Sequence, residues 1–122
     1  MRVLSVDHVQ IAIPLGAEQR ARDFYCDVLG LVEIPKPASL SERGGLWLSV
    51  GGHQLHIGVD QAFAPAAKAH VAYLVDDLEA FRKTLIDNAT VIVDSVPIPG
   101  FDRFEFRDPF GNRVELLGSA QQ

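Results

Sequence analysis

Three histidines and one glutamate occupy matching places in the two halves of this 122-residue sequence. Aligning the halves pairs D-H-V with A-H-V and L-H-I with V-E-L, so that His8 matches His70 and His56 matches Glu115. Imidazole suits Zn, Ni, Co, Fe and Mn, so the ligand type does not select among these divalent metals. The pattern favours one divalent ion bound by all four side chains. The remaining histidine, His53, lies at a hairpin edge with the opposite parity and is assigned to the surface.

The residues around these positions alternate between apolar and polar, which is typical of strands buried on one face. In the first strand the apolar residues 9, 11 and 13 share a face, and His8 lies on the other. The same alternation surrounds His56, His70 and Glu115. Any one such residue is more often hydrogen-bonded or solvated than a ligand. Four in register across a repeat favour a metal site on the more open face of the strands.

Periodicity along the chain predicts the order β-α-β-β-β twice, a repeat of about 60 residues. In the first half the predicted strands are 3–13, 31–34, 46–50 and 53–59, with a helix at 17–29. In the second half they are 70–75, 90–93, 103–107 and 113–117. The second helix is predicted to begin at Asp76, with Glu79 completing a capping box, and to end at Asn88. This order indicates an α+β protein of one domain, with modules at residues 1–62 and 63–122.

Composition excludes several classes of function. The net charge is -5 and no block of like charges occurs, which argues against a nucleic-acid surface. Apolar runs are too short to span a bilayer, and the N-terminus lacks the layout of a signal peptide. The single cysteine, Cys26, cannot form an internal disulfide, so a cytoplasmic location and a buried, inert thiol are expected.

Four segments together resemble the vicinal oxygen chelate superfamily, which includes glyoxalases, bleomycin resistance proteins and dioxygenases. They are D-H-V-Q-I-A-I, F-Y-C-D-V-L-G-L, H-V-A-Y-L-V-D-D-L and F-R-D-P-F-G-N-R-V-E-L. The resemblance implies two tandem βαβββ modules that form a curved mixed sheet around an open cleft. It also implies a divalent metal on the inner strand faces, with ligand positions that fall on His8, His56, His70 and Glu115.

The resemblance further implies a metal-dependent, glyoxalase-like enzyme of the isomerase or lyase type acting on a small molecule. Its ion would chelate two vicinal oxygens of the substrate and stabilise an anionic intermediate. Glu115 is the ligand carboxylate that could also transfer a proton. Family members of the glyoxalase I and epimerase kinds carry Glu or Gln where this chain has His56, which argues against true glyoxalase I activity.

Two alternatives stay open. His8, His70 and Glu115 alone would form the two-histidine, one-carboxylate triad of a non-haem iron, ring-cleaving dioxygenase. A metal-free antibiotic-binding protein of the bleomycin-resistance type is the other. The resemblance also implies a homodimer, whose site is built within one chain or across two.

Other residues near the expected cleft carry weaker predictions. The loop at residues 35–45 is a candidate lid. Its Arg43 is expected to be a solvated charge, although it could meet an anionic substrate. Trp47, Phe101 and Phe104 are expected to pack in the core rather than to line the cleft.

Overall fold

The computed structural model describes residues 1–120, which form two compact units, one of residues 1–64 and one that begins at Pro65. The first unit contains β1 (His8–Ile13), α1 (Glu18–Arg22), β2 (Val32–Ile34), β3 (Leu46–Val50) and β4 (His53–Val59). The second contains β5 (His70–Leu74), α2 (Leu78–Asp87), β6 (Val93–Asp94), β7 (Phe101–Arg107) and β8 (Arg113–Ser119). The prediction of an α+β fold with two βαβββ modules is confirmed.

Both units have the same sheet topology. The strand order is β1-β4-β3-β2 in the first and β5-β8-β7-β6 in the second. The first strand of each unit runs parallel to the last, and the remaining pairs are antiparallel. Each pair of candidate ligands therefore lies on two adjacent parallel strands.

Alternate residues of the strands build a core against the helix in each unit, as the apolar periodicity predicts. The buried apolar residues of the first unit are Ile13, Ala21, Phe24, Tyr25, Leu29, Leu46, Leu48, Leu55 and Ile57. Those of the second are Tyr73, Leu78, Leu85, Phe104, Phe106, Val114 and Leu116. Phe104 is fully buried, as expected.

The first strand is shorter than predicted. It begins at His8, where pairing with β4 begins opposite Gln54, whereas the prediction begins at residue 3. Because β4 itself starts at His53, which lies at the level of residue 7, residues 3–6 have no partner strand beside them. Strand length is therefore set here by the neighbouring strand and not by the run of β-branched residues.

The helices also differ in detail from the prediction. The helix predicted at residues 17–29 is α-helical over Glu18–Arg22 and continues as a wider π-helical segment, Asp23–Val28. The wider turn buries Phe24 and Tyr25 together, with their rings edge to face at 5.2 Å. In α2 the N-terminal cap is Asp77 and not Asp76, since the Asp77 carboxylate accepts a hydrogen bond from the backbone N–H of Ala80.

The predicted loop at residues 35–45 contains a 3₁₀ helix, Ala38–Arg43, and ends in two glycines. Gly45 has φ of 77°, and a Cβ there would overlap the carbonyl oxygen of Ile57. Only glycine fits this close approach of the loop to β4.

Cys26 is half-buried rather than fully buried, and burial is the largest cause that raises the pKa of its thiol. Among the described residues, no helix is long and apolar enough to cross a membrane.

Candidate functional site

In the first unit the two candidate ligands form part of a stack of rings. The imidazoles of His8 on β1 and His56 on β4 stack with their centroids 3.9 Å apart. Trp47, on β3 at the other side of β4, stacks on His56 at 3.9 Å with its plane tilted by only 1°. His56 is consequently buried between two rings, although the sequence predicted an open position for it.

The two histidines of this unit differ in their hydrogen bonds. His8 bonds through Nδ1 to the Asp7 carboxylate at 2.9 Å, which leaves Nε2 for another partner. His56 bonds through Nε2 to the side-chain oxygen of Gln54 at 2.8 Å. Burial chiefly lowers the pKa of His56, the nearby His8 lowers it further, and Asp7 partly opposes both. The His56 ring is therefore held by stacking and by an amide.

A cleft of about 910 Å³ opens beside this ring stack. Its walls include Gln10, Lys36, Leu40, Arg43 and Trp47. The expectation that Trp47 packs in the core is therefore wrong, since its ring faces the cleft while it stacks on the imidazole. The candidate lid supplies part of the wall, and its Lys36 ammonium donates to the Gly44 carbonyl within the loop.

In the second unit the candidate ligands contact charged and polar groups of the protein. His70 bonds through Nδ1 to the carbonyl oxygen of Lys68 at 2.9 Å. Because a carbonyl can only accept, Nδ1 is the donor of this bond, and Nε2 is left for another partner. That Nε2 lies 3.6 Å from Oε1 of Glu115, whose side chain is only 7% exposed. Arg103 donates through Nη1 to the same Oε1 at 3.1 Å and through Nε to the carbonyl of Val96 at 2.8 Å.

These donors fit a divalent metal ion. His8 and His70 each have Nδ1 held by an oxygen and Nε2 available, which is the usual state of a metal-binding histidine. Two ligands about 2.1 Å from one ion lie roughly 3.0 to 3.4 Å apart. The 3.6 Å between His70 Nε2 and Glu115 Oε1 is close to that separation. His56 fits less well as it stands, because its Nε2 is already bonded to Gln54.

The predicted ligands are thus brought together as two pairs, one within each unit. Within residues 1–120, no group of three or more His, Cys, Asp or Glu side chains lies close enough to hold a metal ion. His8 and His70 are half-exposed, as strand parity predicts, whereas His56 and Glu115 are buried.

The sequence did not reveal the partners of the buried ligands. Arg103 shares a strand face with Glu105, yet it reaches Glu115, and Arg113 pairs with Glu105 at 2.7 Å. The hairpin register is the feature of the sequence that could have revealed these contacts. A turn at residues 108–112 places Glu105 opposite Glu115, so Arg103 lies on the same face two residues along.

The sequence matches the family model of the Glyoxalase/Bleomycin resistance protein/Dioxygenase superfamily over residues 5–116. The chain belongs to this superfamily. No curated protein sequence matches it significantly. The superfamily contains enzymes, namely lyases and dioxygenases, and also binding proteins without enzymatic activity.

Solved structures of other proteins have the same fold. A glyoxalase family protein from Bacillus anthracis is 42% identical, with a TM-score of 0.91 and 98% of each chain covered. Lactoylglutathione lyase from Agrobacterium tumefaciens is 21% identical, with a TM-score of 0.65 and coverage of 89% of this chain and 90% of that one. TnmS3, an antibiotic binding protein from a Streptomyces species, is 20% identical, with a TM-score of 0.69 and coverage of 98% and 99%. At these last two identities the likeness extends to the fold alone.

Proposed function

We propose that this superfamily member is a metal-dependent, glyoxalase-like enzyme of the isomerase or lyase type. His8, His56, His70 and Glu115 would hold a divalent ion, which would coordinate two neighbouring oxygens of a small substrate. One observation carries the proposal. Each unit presents an imidazole whose Nδ1 is hydrogen-bonded to an oxygen and whose Nε2 is available to a metal.

The chemistry is divided between the ion and the chain. The bound ion supplies Lewis-acid polarisation of a substrate carbonyl. Glu115 accepts a proton from the substrate and returns it, as the ligand carboxylate of the set. Trp47 and Leu40 provide the apolar wall of the cleft, while Gln10 and Arg43 supply donors that orient polar groups of the substrate.

Metal analysis of the purified protein tests this proposal. We expect one equivalent of metal after chelator treatment and reconstitution with Zn, Ni, Co, Fe or Mn. His8→Ala should lower metal occupancy at least tenfold while the fold survives, because the side chain is 43% exposed. His53→Ala, which removes an exposed imidazole from the same unit, is the matched control. Absence of stoichiometric metal with every ion would contradict the proposal and favour an antibiotic-binding protein.

A second candidate is a non-haem iron dioxygenase that uses His8, His70 and Glu115. The bond between His56 Nε2 and Gln54 favours it, because a histidine engaged in this way is not poised to bind metal. This candidate predicts that His56→Ala keeps its Fe(II) and that the loaded protein consumes oxygen with catechols. Loss of metal from His56→Ala would return the assignment to the four-ligand site.

We further propose a homodimer. The apolar residues Val3, Leu4 and Val6 are 92%, 83% and 58% exposed, and they directly precede β1, an edge strand. Exposed apolar side chains beside an edge strand favour coverage by another chain. Light scattering at micromolar concentration should give twice the chain mass of 13.4 kDa, and a monomer would contradict the proposal.

A further inference from the structure

Arg103 binds the carboxylate of Glu115 through Oε1, the oxygen that also faces the imidazole of His70. Arg103 Nη1 lies 3.1 Å from Oε1, and His70 Nε2 lies 3.6 Å from the same atom. The Glu115 side chain is only 7% exposed, so this oxygen has little contact with water. A metal ion bound by His70 and Glu115 through these atoms would need the oxygen that Arg103 now occupies.

We infer that Arg103 competes with the metal ion for Glu115 and thereby sets the metal affinity of the site. The inference rests on the proposed function. The guanidinium of Arg103 is bonded to Oε1, so a divalent ion bound to the same oxygen would lie only a few ångströms from it. The two cations would repel each other in this poorly solvated site. Binding of the ion through Oε1 is therefore disfavoured while the Arg103–Glu115 bond is in place.

The surroundings of Arg103 allow it to open this bond and re-form it. Its side chain is 27% exposed, so the released guanidinium can be solvated. Its Nε bond to the carbonyl of Val96 does not involve Glu115 and keeps the side chain nearby. Arg103 is thus an alternative partner that stabilises the buried carboxylate whenever the ion is absent.

Competition of this kind lowers the apparent metal affinity by the fraction of molecules in which Glu115 is free. A charge-assisted contact at 3.1 Å should leave only a minor fraction free. Replacing Arg103 with glutamine should accordingly tighten metal binding by about tenfold.

The test uses the full chain and Co²⁺ as the probe, with dissociation constants from titration calorimetry. Arg107→Gln is the matched control. It removes the same charge from the same strand, but Arg107 donates to the backbone carbonyls of Ala66, Ala67 and Gly111. We expect Arg103→Gln to lower the dissociation constant about tenfold and Arg107→Gln to change it less than threefold. In the Glu115→Gln background, Arg103→Gln should have no such effect.

The outcomes separate this inference from the proposed function. Stoichiometric Co²⁺ binding by the wild type, with unchanged or weaker binding by Arg103→Gln, would overturn the inference and leave the function standing. Tightening by Arg107→Gln as large as that by Arg103→Gln would also overturn it. Binding gained only by Arg103→Gln would support it, and binding by neither protein would overturn both. If Arg103→Gln does not fold, Arg103→Lys, which lacks the fork that reaches both Val96 and Glu115, should change affinity in the same direction.

Discussion

The two units place their candidate ligands at matching points of matching sheets and surround them with different chemistry. In the first unit Trp47 lies opposite His56 across β3 and β4, and Gln54 bonds to the imidazole. In the second unit the position of Trp47 is occupied by Glu105, opposite Glu115 across β7 and β8. His56 is therefore held by stacked rings and an amide, whereas Glu115 lies among salt-bridged side chains.

The space beside the ligands differs in a related way. In the first unit, Gly45 precedes β3 and lies against the carbonyl of Ile57, whereas Gly58 on β4 lines the cleft and leaves room for the amide of Gln10. Extending the register shows that Arg103 and Leu117 take these positions in the second unit. The backbone thus determines where a ligand lies, and the side chains of the next strand determine what holds it.

Gly45 occupies in the first unit the position that Arg103 occupies in the second. Its substitution should have the largest effect on stability. In Gly45→Ala the new Cβ overlaps the carbonyl oxygen of Ile57, and φ is 77°. We expect a loss of about 3 kcal/mol or more in the free energy of unfolding, measured by urea denaturation.

Gly51→Ala is the control for backbone conformation alone. Gly51 also has a positive φ, 54°, but nothing lies within 4 Å of the added Cβ. A loss of only about 1 to 2 kcal/mol is expected there. Equal losses at the two positions would show that backbone conformation, and not the approach of the loop to β4, makes Gly45 necessary.

Much of the fold follows from local pattern in the sequence. Periodicity along the chain predicts the repeated β-α-β-β-β order, and the structure has it. The start of β1 and the π-helical segment were not predictable, because partner-strand length and the packing of Phe24 and Tyr25 determine them. Long-range packing overrides propensity at these places.

Less of the candidate site could be predicted. Strand parity correctly exposes His8 and His70, because the direction of a side chain depends only on its own strand. The burial of His56 and Glu115 depends on residues from neighbouring strands, such as Trp47. Those contacts depend on hairpin register and on rotamers, which a residue-by-residue pattern does not contain.

A change of pH should have a smaller effect on the free energy of unfolding, and it should act on the first unit through His56. Burial and the nearby His8 lower the pKa of His56 below its ordinary value of about 6.5, and Asp7 only partly opposes them. The unfolded chain therefore takes up a proton near pH 6.5 that the folded chain resists, so the free energy of unfolding is highest above this pH. It should fall as the pH decreases from about 7.5 through 6.5 toward the folded-state pKa.

Chemical denaturation of the metal-free protein at pH 7.5, 6.5 and 5.5 measures this loss. His56→Gln removes the titrating ring, so its stability should decline less over the same range. A parallel decline in both proteins would assign the pH dependence to groups outside the ring stack.

The smallest expected effect concerns the hydrogen bond that holds His56. Gln54→Ala frees the His56 Nε2 that now bonds to the amide at 2.8 Å. A neutral hydrogen bond contributes about 0.5 to 1.5 kcal/mol, so Co²⁺ should bind about two- to tenfold more tightly if His56 is a fourth ligand. Gln10→Ala is the control, since Gln10 lies opposite His56 across β1 and β4. If Gln54→Ala, Gln10→Ala and the wild type bind Co²⁺ equally, His56 belongs to the ring stack, and the metal is left to two histidines and the carboxylate that Arg103 contacts.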